Sequence, residues 1–128
     1  MTERTHQHEF VKLSDSDFRL QASDQDIRGL DVYDITGNQM GHVEDLYVDD
    51  QDRKVRFLDV GAGGLLGVGK KHFLIPVEAI ADVGEGRVTI DENREKVVGS
   101  PAFDPNVVPE PHYHRDLYDY YGYPYYPL

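Results

Sequence analysis

The sequence predicts an all-β domain: a small antiparallel β-barrel with short terminal helices and an irregular, Tyr/Pro-rich C-terminal tail. Three observations point there. Between Leu30 and Asp91 the apolar residues come in short runs rich in Val, Ile, Leu, Tyr and Phe, separated by turn-forming pairs, the way a small antiparallel sheet is written. No run there has the length and period of a long helix. The segment KVRFLDVG, Lys54 to Gly61, is apolar on both faces, with Val55 and Phe57 on one and Leu58 and Val60 on the other. Such a strand lies in the middle of a curved or closed sheet, and interior positions of a barrel this small are filled by side chains.

In chain order, residues 1–25 form a polar extension. Ser14 followed by Asp17 resembles a capping box, so a short helix from about Asp15 to Ala22 and an unstructured lead-in are both open. From residue 26 the pattern tightens. Leu30 to Ile35 is a first strand, and Thr36-Gly37-Asn38 supplies the turn. The returning strand, Met40 to Val48, slips its alternation between Val43 and Leu46, with Glu44 and Asp45 between, as a β-bulge would make it. Asp49 to Arg53 turns the chain into the strand that begins at Lys54. His72 to Pro76 is a fourth strand, ended by a proline that has no N–H to donate. Ala81 to Val83 and Arg87 to Ile90 flank the turn Gly84-Glu85-Gly86, with Val88 and Ile90 inward. Asn93 to Val98 reads as a short helix stopped by Gly99, and Val97, Val98 and Phe103 are expected to cap the barrel's open end. The domain is thus expected over residues 26–104.

After Asp104 the composition changes. Five prolines (Pro105, Pro109, Pro111, Pro124, Pro127) argue against continuous regular structure, and seven of the nine tyrosines lie between Tyr113 and Tyr126. Residues 105–128 therefore read as a tail, either disordered or laid along a surface as a polyproline-like arm. It either covers its own barrel or serves as a contact arm for a protein partner, because tyrosine joins an apolar body to a polar tip.

Composition excludes several function classes. The chain has 128 residues, enough for one domain with extensions, and a formal charge of -11. That sign opposes a nucleic-acid partner, which needs a basic footprint. Without cysteine there is no disulfide framework, thiol nucleophile or cysteine metal cluster. The start, MTERTHQHEFVKLSD, has no apolar segment of the secretory kind, and no apolar run is long enough to span a bilayer. A soluble, cytoplasmic acidic protein without membrane insertion is the expectation.

Motifs that suggest chemistry fail on spacing. Gly64 to Lys70 satisfies G-x-x-x-x-G-K, but Lys71 stands where a phosphate loop needs Ser or Thr, and a strand follows where the motif needs a helix. The aspartates at 49, 50 and 52 lack the sixth-position glycine of a calcium loop: counted from Asp50, that position is Val55. His6 and His8 form one HxH pair. His112-Tyr113-His114 with Asp116 and Asp119 forms the better metal constellation, without a known family spacing. His42 and His72 have no nucleophile or acidic partner at identifiable spacing, so no catalytic residue, cofactor or metal ligand is assigned.

The run GLDVYDITGNQMGHVEDLYVDDQDRKVRFLDVG, followed by GGLLGVGKKHFLIPVEAI and GRVTID, resembles a PRC-barrel domain over about residues 26–103. The matching features are Gly29, Gly37, Gly41-His42-Val43, Asp49, Val55-Arg56-Phe57, Leu66-Gly67 with Gly69, and Ile75-Pro76. That barrel is shared by the cytoplasmic H subunit of purple-bacterial photosynthetic reaction centres and the C-terminal domain of the ribosome-maturation factor RimM. The resemblance implies a non-enzymatic barrel that docks on other proteins. The 128 residues show neither the membrane helix of the one nor the partner domain of the other, so the expectation is that neither specific job transfers.

The function expected is a protein-protein interaction or adaptor module that self-associates as a homodimer or larger species. Its contact residues would be Leu65, Leu66 and Val68 in the glycine-rich loop and Tyr113, Tyr118, Tyr120, Tyr121, Tyr123, Tyr125 and Tyr126 in the tail. The alternatives are a zinc- or calcium-binding acidic protein and an H-subunit-like role in electron or proton transfer assembly.

Overall fold

The structure, a computed structural model, describes residues 10–15, 26–63 and 70–125. Seven strands form one sheet: β1 (Phe10–Lys12), β2 (Asp31–Tyr33), β3 (Gln39–Asp49), β4 (Lys54–Gly63), β5 (Lys70–Pro76), β6 (Ile80–Gly84) and β7 (Arg87–Ile90). Two helices follow, α1 (Arg94–Val98) and α2 (Tyr113–Tyr121). The all-β class holds. The sheet is mixed, however, because β2 pairs parallel with β7, and it is open, since the path β5-β4-β3-β2-β7-β6 ends on two strands that do not pair with each other. The cylinder expected from the sequence is therefore not closed. After Pro76 the chain passes through a short 3-10 turn, Val77–Ala79, and β6 then spends its pairing on β7.

The organising strand is β3. It is paired along its length by β4, while its other edge is shared by β2 near the start and β1 near the end. Its register runs from Val43 opposite Val60 to Asp45 opposite Asp59, leaving Glu44 as the extra residue of a bulge. That is the phase slip read from the alternation. It lets Val43 and Leu46, three apart, both enter the core, where each is 1% exposed. A second irregularity between Tyr47 and Val48 leaves Arg56 of β4 unopposed.

Turn chemistry accounts for the connections. Asp34 is buried, and its Oδ1 accepts from the Thr36 hydroxyl, Thr36 N and Asn38 N, while Oδ2 accepts from Arg94 N at 3.0 Å, tying the first hairpin to α1. These donors hold its carboxyl below the usual range, the Thr36 hydroxyl contributing most. Asp49, also buried, accepts Gln51 N at 2.8 Å and Asp52 N at 3.1 Å, so the aspartate-rich tip is a turn built on its own side chain. Asn93 caps α1 by accepting Lys96 N at 2.8 Å, and Gly99 ends the helix, as expected.

Two stretches differ from expectation. Within the segment read as a lead-in, Phe10–Lys12 form β1 and Leu13–Asp15 a 3-10 turn; the helix considered to Ala22 lies mostly outside the described residues. The tail, read as irregular, contains α2. Leu117, Tyr118 and Tyr121 are buried at one-face helical spacing, and Gly122 closes the helix in the left-handed conformation with its N–H on the Tyr118 carbonyl at 2.9 Å. Five prolines punctuate the segment, but none falls between Pro111 and Pro124, which leaves room for two and a half turns. The helix covers the outer face of β4: Tyr118 stands edge-on to Phe57 at 5.6 Å, and the His114 ring lies 4.4 Å from Phe10 and 5.2 Å from Phe57.

Candidate interaction surface

Cross-strand register builds a polar patch on the outer face of β3, β4 and β5. Residues directly opposite share a face, so His42, Gly61 and His72 form one row, and Asp45, Asp59 and Leu74 the next. Because Gly61 has no side chain, the Glu44 carboxylate folds over it: a Cβ at Gly61 would lie 2.4 Å from Glu44 Oε2. There Oε2 accepts from His42 Nε2 at 2.6 Å and Lys70 Nζ at 2.7 Å. The Lys70 ammonium is the main reason the Glu44 carboxyl sits below its ordinary range.

The second row is buried. Asp59, 2% exposed, faces His72 Nδ1 with its two oxygens at 2.9 and 3.1 Å. Burial pushes its carboxyl up, against the pull of His72. An ionised Asp59 requires Nδ1 to carry the proton, and His72 also lines a neighbouring groove. Asp45 accepts from the Ser14 hydroxyl and from Leu46 N, and Tyr47, buried beside both aspartates, has its phenol pushed upward by that burial and their charge. The acidic partner of His72 is thirteen residues away and arises from the β4–β5 register. No local spacing in the sequence could have signalled it.

The groove, about 490 Å³, runs along the edge of β5. Four consecutive β5 residues, Lys70 to Phe73, line one side, so both faces of the strand and its edge contribute; Val98, Ser100 and residues 102–106 form the other wall. A single bridge, His72 to Phe103, crosses it. Since β5 ends the sheet path, the part of its main chain not engaged by that bridge offers donors and acceptors to an added strand. Val98, expected to cap the domain, is 54% exposed at this rim, whereas its neighbour Val97 is buried.

The contact residues expected from the sequence divide. Leu65, Leu66, Val68 and Tyr126 lie outside the described residues, as do His6 and His8. Tyr118 and Tyr121 are buried, so they cannot serve as open contacts in this arrangement. Tyr113, Tyr120 and Tyr123 are half-buried and donate to the domain itself: Tyr113 to the Pro101 carbonyl at 3.1 Å, Tyr120 to the Lys96 carbonyl at 2.6 Å and Tyr123 to Glu92 at 3.4 Å. Tyr118 adds a bond to Glu78 at 2.7 Å, and Tyr125 packs on Tyr118 at 5.2 Å. The tyrosines fasten α2 to its own domain. The second HxH pair diverges: His112 pairs with Asp116 at 2.8 Å in the open, while His114 turns inward, where burial pushes its pKa down to about 4. Among the described residues no three His, Asp or Glu side chains converge as a metal site requires.

No helix among the described residues is long and apolar enough to cross a membrane. A search of curated proteins finds no match to the chain. The family model of the PRC-barrel domain matches residues 21–97, the stretch from just before β2 through α1 that carries the polar patch and one wall of the groove, while α2 lies beyond it. On that match, which spans more than half of its length, the chain belongs to the PRC-barrel domain family.

Proposed function

We propose that this protein is a non-enzymatic, cytoplasmic adaptor that binds an extended segment of a partner protein along the edge of β5 and that also self-associates. The observation that carries this reading is the groove itself: the terminal strand edge of β5, bridged by the chain at His72–Phe103 and flanked by Phe73 and Val98 and by the polar heads of Lys71 and His72. Strand addition takes affinity from main-chain hydrogen bonds and specificity from alternate side chains, and this edge offers both. The core is filled by aliphatic and aromatic side chains, so work falls to the outside.

The test is cross-linking capture from cells with the full chain and with two groove variants, Lys71→Glu and Val98→Asp, both at exposed positions. A partner captured by the parent chain and lost from both folded variants supports the reading. Undiminished capture by both contradicts it.

A further inference from the structure

The two His-x-His pairs, His6 with His8 and His112 with His114, stand near opposite ends of the sequence, and the fold brings those ends together. Phe10, in β1, has its ring 4.4 Å from the ring of His114 and 5.0 Å from that of Phe57, beneath the first turn of α2. A chain advances at most about 3.6 Å per residue, so the backbone of His8 starts within about 7 Å of Phe10 and that of His6 within about 14 Å. A helix with its side chains is about 10–12 Å across. Both imidazoles are therefore within reach of the exposed side of that first turn.

That side carries half of a metal site. His112 and Asp116 are exposed, with His112 Nδ1 2.8 Å from Asp116 Oδ2. Their i, i+4 spacing is the one by which a helix offers two ligands to a single ion. Asp119, exposed one turn further on, adds negative charge to the same side. His114, two residues after His112 and so rotated to the other side of the helix, is occupied by Phe10 and Phe57. Zinc requires three or four ligands, and the helix supplies two.

We propose that His6 and His8 supply the others, so that His6, His8, His112 and Asp116 bind one divalent ion of the zinc class and pin the N-terminal segment to α2. Alternate positions on an extended backbone present His6 and His8 on one side, as chelation of one ion requires. Imidazole and carboxylate are zinc ligands, and a formal charge of -11 draws cations toward the chain. The two histidine pairs are then used differently: the first ligates with both rings, and the second divides into a ligand, His112, and a packing ring, His114.

The test is calorimetric titration of the untagged full chain, first stripped of metal with a chelator, using zinc sulfate alone. The expected result is one zinc per chain. Affinity should fall by about tenfold or more in His112→Ala, in Asp116→Asn and in the double variant H6A/H8A, each checked for the parent's circular dichroism, and stay unchanged in a folded His114→Phe chain. Zinc should also slow amide exchange together in peptides covering residues 1–9 and 112–116. No heat up to millimolar zinc overturns the proposal. Binding that H6A/H8A leaves intact overturns it as well, because the ion would then be held without the N-terminal segment.

Discussion

Truncating Tyr118 to alanine tests whether the C-terminal segment is part of the core. The side chain is fully buried, its ring stands edge-on to Phe57 and Tyr125, and its hydroxyl donates to Glu78 at 2.7 Å. Removing a buried aromatic ring costs about 3–5 kcal/mol, a large share of the roughly 5–15 kcal/mol that holds a domain together. Tyr118→Phe keeps the ring and loses only the hydrogen bond. Glu78 is exposed, so water replaces the phenol and the cost falls to about 1 kcal/mol. Urea denaturation followed by far-ultraviolet circular dichroism measures both, provided the slope with denaturant is unchanged. A Tyr118→Ala variant within about 1 kcal/mol of the parent would refute the docking of α2, since no packed aromatic site is that tolerant.

Other positions give independent checks. His114, half-buried among Phe10, Phe57 and Tyr113, has its pKa depressed by desolvation from 6.5 to about 4, so the unfolded chain takes up a proton first as pH falls. Stability from this site is complete above about pH 6.5 and declines toward pH 4, by on the order of 3 kcal/mol in all. The raised carboxyl of Asp59 has the opposite sign, with acid favouring the folded state until the unfolded carboxyl is also protonated, so the comparison is made against His114→Phe, which should flatten the decline. Parallel titration curves for the two chains would contradict the burial of His114. Gly41→Ala places a Cβ 2.1 Å from the Gly61 carbonyl oxygen, a main-chain clash that should cost about 3 kcal/mol by thermal or urea unfolding; an unchanged stability would contradict this approach of β3 to β4. His112→Ala removes only an exposed ion pair with Asp116 and should change stability by less than about 0.5 kcal/mol in the same assay.

What the sequence disclosed was local, and what it concealed was brought together by distant pairing. The bulge at Glu44 was legible because a one-residue insertion displaces every later apolar residue, and the Asp49 turn was legible because its partners lie within three residues. The parallel pairing of β2 with β7 and the Asp59–His72 contact depend on register between separated segments, and no spacing encodes them. The helix α2 is a different matter, since its signal was present. Tyr113, Leu117 and Tyr121 recur every four residues, as do His114 and Tyr118, with Gly122 in place to end the helix. The prolines on either side and the abundance of tyrosine masked that period. Of the contact residues named from the sequence, the described tyrosines proved to fasten the helix, while the groove at β5 was not singled out, because an edge strand is recognised only once the strand order is known.

Amide hydrogen exchange, resolved by peptide across the intact chain, tests most directly whether α2 and the sheet form one folded unit. Peptides covering Leu117 to Tyr121 should exchange as slowly as those from the middle of β4, because both open only when the domain does. Exchange of that helix at the rate of an unstructured peptide, with β4 still protected, would contradict the account.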